Sequence, residues 1–371
     1  MTPPIEIMLI AVVTAVACTL PGVFLVLRGM ALISDAITHA VLLGIVLAFF
    51  VVQDTGSPFL VLAAAASGVL TVVLIELLHR TRLVREDAAI GLVFPLLFSI
   101  AVILIARRAG DTHLDVDAVL LGELAFAPFD RFAPSGVDLG PQALWLMGGI
   151  LVLTLVLLAL FYKELKLATF DAALALALGF APGVVHYGLV GIVSLTAVGA
   201  FDTVGSVLVV ALMIAPPAAA YLLTDRLSRM LAVSAGLGAF AAVIGCLVAF
   251  ILDASIAGAM AAMAGLVFGL AWLFAPERGL LALAVRRVRQ RQEFAQAMLA
   301  VHLLHHEATP QAAVECQASH LSEHLRWEPA FVARVVRRAE QQGVLINRGN
   351  TLALTDHGRR LAMKTLNGEL A

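Results

Sequence analysis

Charge is what this sequence has least of. Only 13% of its 371 residues are Asp, Glu, Lys or Arg, while 61% are hydrophobic and the mean hydropathy is +0.99; soluble domains carry about 25% charged residues. A soluble globular enzyme is excluded. Cysteine is nearly absent: Cys18, Cys246 and Cys316 are too few and too scattered for a disulfide framework or a CxxC metal site. Redox chemistry is therefore not expected. Catalytic signatures are missing too, since there is no GxxxxGK[ST], HExxH or GxSxG, and no GxGxxG following a strand. Any step driven by a nucleotide must draw on another chain. Basic residues are absent before Arg28, so the apolar start lacks the n-region of a secretory signal peptide and is expected to stay as a membrane span.

What the chain has in abundance is long apolar runs. A bilayer core takes about 20 apolar residues per helix, and such runs sit near 5–27, 36–53, 57–79, 88–107, 142–163, 184–202, 204–223, 228–251 and 254–275. Runs six and seven are joined by little more than Asp202 and admit a broken helix, so eight or nine spans are expected. Basic residues alternate sides: Arg28, then Arg80, Arg82 and Arg85, then Lys163 and Lys166, then Arg226 and Arg229 mark cytoplasmic loops. Nine spans place the N-terminus outside and the C-terminus inside. The opposite loops carry Asp54, Asp202, Asp253 and the acidic stretch from Asp111 to Asp138, which would concentrate cations or simply be solvated.

The composition changes after Pro276. RRVRQRQ puts four arginines in seven residues, and residues 277–371 hold 13 Lys and Arg against 9 Asp and Glu, with six of the ten histidines. The expected division is a transmembrane domain at 1–276, a basic linker at 277–290 and a cytoplasmic domain at 291–371. The formal charge of the whole chain, -2, singles out neither a polyanionic nor a polycationic partner.

Two features within the membrane part carry chemistry. In SDAITHAVLLG, Asp35 and His39 are four residues apart, which on a helix brings them to one face about 5–6 Å apart at Cβ. Ionisable groups inside a span are costly and mark functional sites by default, and carboxylate plus imidazole suits Mn, Zn or Fe(II) better than Ca. The plainer alternative is that Asp35 caps the helix and His39 is a satisfied bundle histidine. Two ligands cannot complete a shell, so the metal reading requires a second chain or water. The stretch YKELKLATFDAALALALGFAPGV, between spans five and six, contains an Ala-rich helical segment that Asp171 can cap. It fits either a helix lying at the inner membrane surface for a soluble motor to push or an ordinary loop.

At this point a resemblance emerges. SDAITHAVLLG at 34–44, EDAAIGLVF at 86–94, KELKLATFDAALALALGF at 163–180 and VGSVLVVALMIAPPAAAYLL at 204–223 together resemble, in family order, the permease subunit of the ABC-type manganese, zinc and iron importers, the ABC-3 family. The resemblance implies an all-α polytopic fold in a bacterial inner membrane and a dimeric pathway, formed with a second copy or a paralogous permease. It implies Asp35 and His39 touching the passing metal, and a coupling helix marked by Phe170, Asp171, Ala175 and Gly179 that docks on a separate ATPase subunit. An extracytoplasmic metal-binding protein would deliver Mn(II), which is favoured, or Zn(II) or Fe(II); no cofactor is held permanently. The sequence departs from the family at Ser34, where Gly usually stands, at Leu43, where Pro does, and in DASIAG at 253–258, which lacks the usual Pro.

The tail, roughly 291–366, reads as helix, turn, helix, a hairpin with its tip at Arg348-Gly349-Asn350, and a helix. It resembles the winged-helix domain of the DtxR-like metal-dependent repressors, with Arg334, Arg337 and Arg338 on the second helix. Because the tail is tethered at the membrane, regulation or subunit contact is expected over nucleic-acid binding. The competing reading from another class is a membrane-tethered, metal-responsive DNA-binding regulator. A third, an ion-coupled carrier, predicts an inverted repeat that is not detected. Cys316, His320 and His324 fall at i, i+4 and i+8, expected on one helical face, either as a regulatory metal site together with His302, His305 and His306 or as a solvated polar face.

Overall fold

The computed structural model describes residues 2–53, 58–108, 124–132, 138–310, 312–317, 320–322, 325, 327–349 and 351–367. The chain divides into two compact units, Met1–Gly279 and Leu280–Ala371, and each is described by itself.

The first unit is helical. In order it holds α1 (Pro3–Leu27), α2 (Ala31–Val52), α3 (Pro58–Arg80), α4 (Glu86–Arg108), α5 (Gln142–Leu160), α6 (Tyr162–Phe170), α7 (Ala172–Ala177), α8 (Pro182–Leu223), α9 (Leu227–Leu252) and α10 (Ile256–Phe274). Nine segments among the described residues are long and apolar enough to span a bilayer, because α8 contributes two, Pro182–Phe201 and Thr203–Leu223. The most enclosed span is α1, packed against α8 and α9, while α2 packs on α3 and α4. Without a hydrophobic drive between helices in lipid, small residues and cross-helix hydrogen bonds hold such a bundle. In the Ala63–Gly68 stretch of α3 the Ser67 hydroxyl donates to the Ala40 carbonyl of α2 at 2.8 Å.

The break in α8 falls at Gly205, three residues beyond the Asp202 junction read from the sequence. Its backbone, φ 77° and ψ 164°, is a conformation essentially open to glycine alone. Pro216 and Pro217, which would break a soluble helix, lie inside the continuous helix and are buried. Pro217 has no N–H to offer the Met213 carbonyl four residues back. That carbonyl faces α1 at Gly22, where a Cβ would stand 2.2 Å from the oxygen. The missing side chain lets the α1 backbone cover the group the proline leaves over.

The second unit comprises α11 (Leu280–His306), α12 (Ala312–Glu315), α13 (Pro329–Gln341), the hairpin β1 (Leu345–Arg348) and β2 (Thr351–Leu354), and α14 (Asp356–Leu366). The strands are antiparallel, Leu345 opposite Leu354 and Arg348 opposite Thr351, and Gly349 turns the chain at φ 75°. Asn350, the third residue of the expected tip, lies outside the described residues. Strand among the described residues is limited to this hairpin and isolated bridges. Residues 280–290, expected as part of a linker, are instead the first turns of α11. No Gly or Pro occurs between Gly279 and Pro310, and Leu, Ala, Arg and Gln are strong helix formers. On α13, Val332, Val335, Val336 and Ala339 share the buried face, so Arg334 and Arg337 point to solvent.

Candidate functional site

Asp35 does not cap α2. The helix begins at Ala31 after Met30, which places Asp35 in its second turn, and Ser34 and Thr38 turn their hydroxyls back onto the carbonyls of Ala31 and Asp35. The geometry therefore removes the capping alternative. His39 Nε2 lies 3.4 Å from Asp35 Oδ1, and the two side chains are 26% and 39% exposed, open on one side of the bundle. The other side of the imidazole is held by α4: Phe94 stacks on it at 5.6 Å between ring centres and Phe98 meets it edge-on at 5.9 Å. A carboxylate and an imidazole so placed can share one divalent cation. Among the described residues, groups of three or more His, Cys, Asp or Glu close enough to share an ion do not include this pair. A single chain thus offers two donor groups at this place, too few to complete a coordination shell.

A second polar assembly lies where α1, α3, α6 and α8 meet, and the sequence reading missed most of it. Arg28, just past α1, donates through Nε to Thr169 Oγ1 at 3.1 Å and approaches His186 Nδ1 with Nη1 at 3.4 Å. His186 Nε2 is 3.0 Å from Glu76 Oε1, and the Tyr187 hydroxyl donates to Glu76 Oε2 at 2.6 Å. Because guanidinium can only donate, Nδ1 of His186 accepts and its Nε2–H faces Glu76. His186 thus bridges a cation and a carboxylate. Burial lowers the pKa of Arg28. Thr169 is two residues before Asp171, so this network reaches the turn between spans five and six directly. Glu76 was legible only as an acid inside an apolar run. At the other end of α1, Arg131 Nη1 donates to the buried Glu6 at 3.2 Å, another pairing that spacing could not reveal.

The segment after α5 folds as two short helices. Asp171 caps α7 with its side chain accepting from Leu174 N at 2.8 Å. At the far end Gly179, at φ 84°, lets Phe180 N and Gly179 N close onto the carbonyls of Ala175 and Leu176, both at 3.0 Å. Ala175 is fully buried, whereas Phe170, Leu174, Leu176 and Leu178 are exposed. Six residues capped at both ends therefore present an apolar outer face.

In the tail, Cys316 does not lie on the helical face expected for Cys316, His320 and His324. Cys316 lies beyond α12, its carbonyl accepts from Leu352 N at 2.9 Å, and Gln317 bridges to Thr351, so the chain here pairs with β2 and helical spacing does not apply. The Cys316 side chain is buried in the apolar core, and burial, reinforced by Glu307 and Glu315, pushes its thiol above its ordinary 9.0. That disfavours the thiolate a metal needs. His320 Nε2 pairs with Glu315 at 3.0 Å. His324 lies outside the described residues.

Nine apolar spans, a half-open carboxylate–imidazole pair in the second and a capped turn between spans five and six define a multi-pass membrane protein. Residues 5–275 match the ABC 3 transport family, and the chain belongs to that family. It is 48% identical over 361 residues to the zinc transport system membrane protein TroD of Treponema pallidum, covering 97% of this chain and 98% of that protein. With the manganese transport system membrane protein MntD of Bacillus subtilis it shares 48% over 282 residues, 76% of this chain and 95% of that one. Among solved structures it resembles PsaBC from Streptococcus pneumoniae in complex with Fab, with a TM-score of 0.64 and 28% identity over 75% of this chain and 94% of that one. The likeness to TroD takes in the tail, while that to MntD accounts for nearly all of MntD with little beyond the membrane unit.

Proposed function

We propose that this chain is the permease of an ATP-driven importer of a divalent transition metal, Mn(II) before Zn(II) or Fe(II). In this reading Asp35 and His39 from two chains, a homodimer or a pair of paralogous permeases, contact the ion as it passes. The carrying observation is the 3.4 Å Asp35–His39 pair, inside a span yet open on one side. Ionised groups there cost several kcal/mol unless they face a partner or cavity. The names of the relatives, zinc for TroD and manganese for MntD, agree on the class of cargo and divide on the metal.

The ion arrives from an extracytoplasmic metal-binding protein and leaves towards the cytoplasm. Power comes from an ATPase subunit docking on α7, whose exposed Leu174 and Leu176, with Phe170 at the end of α6, offer it an apolar surface. In this reading the N-terminus lies outside the plasma membrane and the tail in the cytoplasm, which nine spans with basic loops on one side support. The tail serves as a winged-helix regulatory or subunit-contact domain. Of its three helix arginines, Arg338 is turned onto Gln292 and only Arg334 and Arg337 remain solvent-facing, a small footprint for nucleic acid.

Metal uptake into vesicles reconstituted with the ATPase subunit tests the reading. Asp35→Ala and His39→Ala should each lower uptake at least about tenfold, equivalent to about 1.4 kcal/mol of lost metal contact. Undiminished uptake in both variants removes the pair from the path.

A further inference from the structure

The C-terminal unit brings together three metal-binding side chains that the membrane pathway does not use. His302 and His306 are one turn apart near the end of α11, with ring centres 4.7 Å apart, and Glu315 closes α12 beside them. One ligand atom from each lies within 4.8 Å of the others, and His302 is buried while His306 and Glu315 are half-buried. We propose that His302, His306 and Glu315 bind one divalent transition metal ion, separate from any ion passing through the bundle.

The donor set argues the chemistry. Two imidazoles and a carboxylate match the three-ligand sites of Zn(II), which leave a fourth position open, and suit Co(II) or Fe(II) by the same preference. Ligand atoms about 2.0–2.1 Å from Zn(II) in a tetrahedron stand about 3.4 Å from one another, so the three need close by little more than an ångström, within reach of side-chain rotation. Their surroundings are those of an oriented site. His302 Nε2 lies 3.2 Å from the Glu315 backbone carbonyl, which can only accept; the ring therefore donates there and turns Nδ1 into its lone-pair nitrogen. His320 Nε2, 3.0 Å from Glu315 Oε2, steadies the carboxylate or fills the open position. Cys316, the neighbouring sulfur, stays in the apolar core. A bound ion ties the last turn of α11 to α12, next to the strand that pairs with Gln317. Metal in the surrounding solution would thus set the rigidity of the tail.

The test uses the full-length chain in detergent carrying Asp35→Ala and His39→Ala, so that the proposed pathway pair contributes no ligands and the outcome is independent of the pathway reading. Cobalt(II) chloride is titrated while visible d–d absorption and cobalt retained per chain after desalting are measured. One retained cobalt per chain, displaced by zinc(II) chloride, is expected. His306→Gln and the isosteric Glu315→Gln, each added to that background, should weaken binding at least about tenfold. His302→Gln should do the same, and the circular dichroism of each variant shows that the helices persist. No retained cobalt in the parent chain, or equal retention and identical spectra in folded Glu315→Gln and His306→Gln, overturns the proposal.

Discussion

Individual side chains in this protein take their roles from partners far along the sequence. Arg28 looks like a topology marker at the end of a span, yet its guanidinium joins Thr169 and His186, and through His186 reaches Glu76. Removing it strands a histidine and a threonine in a half-buried place. Arg28→Ala should cost on the order of 1–3 kcal/mol, visible as a lower thermal midpoint of the detergent-solubilised chain; an unchanged midpoint would show the network to be ornamental. Cys316 makes a different prediction. Its folded pKa is raised, so its contribution to stability is complete below the unfolded value of about 9 and fades as the pH climbs through that value. Wild type should lose stability above about pH 9 faster than Cys316→Ala does, as read by denaturation of the full-length chain.

At the scale of elements, local rules decide beginnings and ends, and a few residues decide breaks. Asp171 starts α7 and Gly179 ends it, so a six-residue helix too short to persist alone is held at both termini. Asp171→Ala should cost about 1 kcal/mol of local stability and lower the metal transported per ATP hydrolysed in the reconstituted importer. Equal coupling in the variant would argue that α7 is not the docking element. Gly205 is the other control point, because α8 could not change direction there with a side chain present. Gly205→Ala should cost on the order of 1–3 kcal/mol, lowering the thermal midpoint, while alanine at the adjacent helical Ser206 should cost far less.

Across the whole molecule, the division at Gly279 separates a unit that the family requires from one that it does not. MntD is matched over 95% of its length by 76% of this chain, so that transport system membrane protein has no length left for a comparable tail. A chain ending at Gly279 should insert, fold and support metal uptake within about threefold of the full-length protein, a difference under 1 kcal/mol. Complete loss of uptake by a folded truncated chain would make the tail part of the transport machinery.

Much of this was legible in one dimension. Span positions, the alternation of basic loops, the Asp35–His39 spacing and the Asp171 cap are properties of neighbouring residues, and hydropathy, charge and helical period report neighbours directly. Which polar groups meet was not legible. Glu76 and His186 are 110 residues apart in sequence and 3.0 Å apart in space. Glu315 joins His302 and His306 only because the chain turns back after α11, and the same turn pairs Cys316 and Gln317 with β2, taking Cys316 off the helical face that its spacing to His320 suggested. Sequence alone determined that this chain crosses a membrane many times and carries a carboxylate–imidazole pair within it. Packing decided how α8 bends, what holds Arg28 and where the tail gathers its histidines, because those arrangements depend on contacts between elements whose separation along the chain carries no periodic signal.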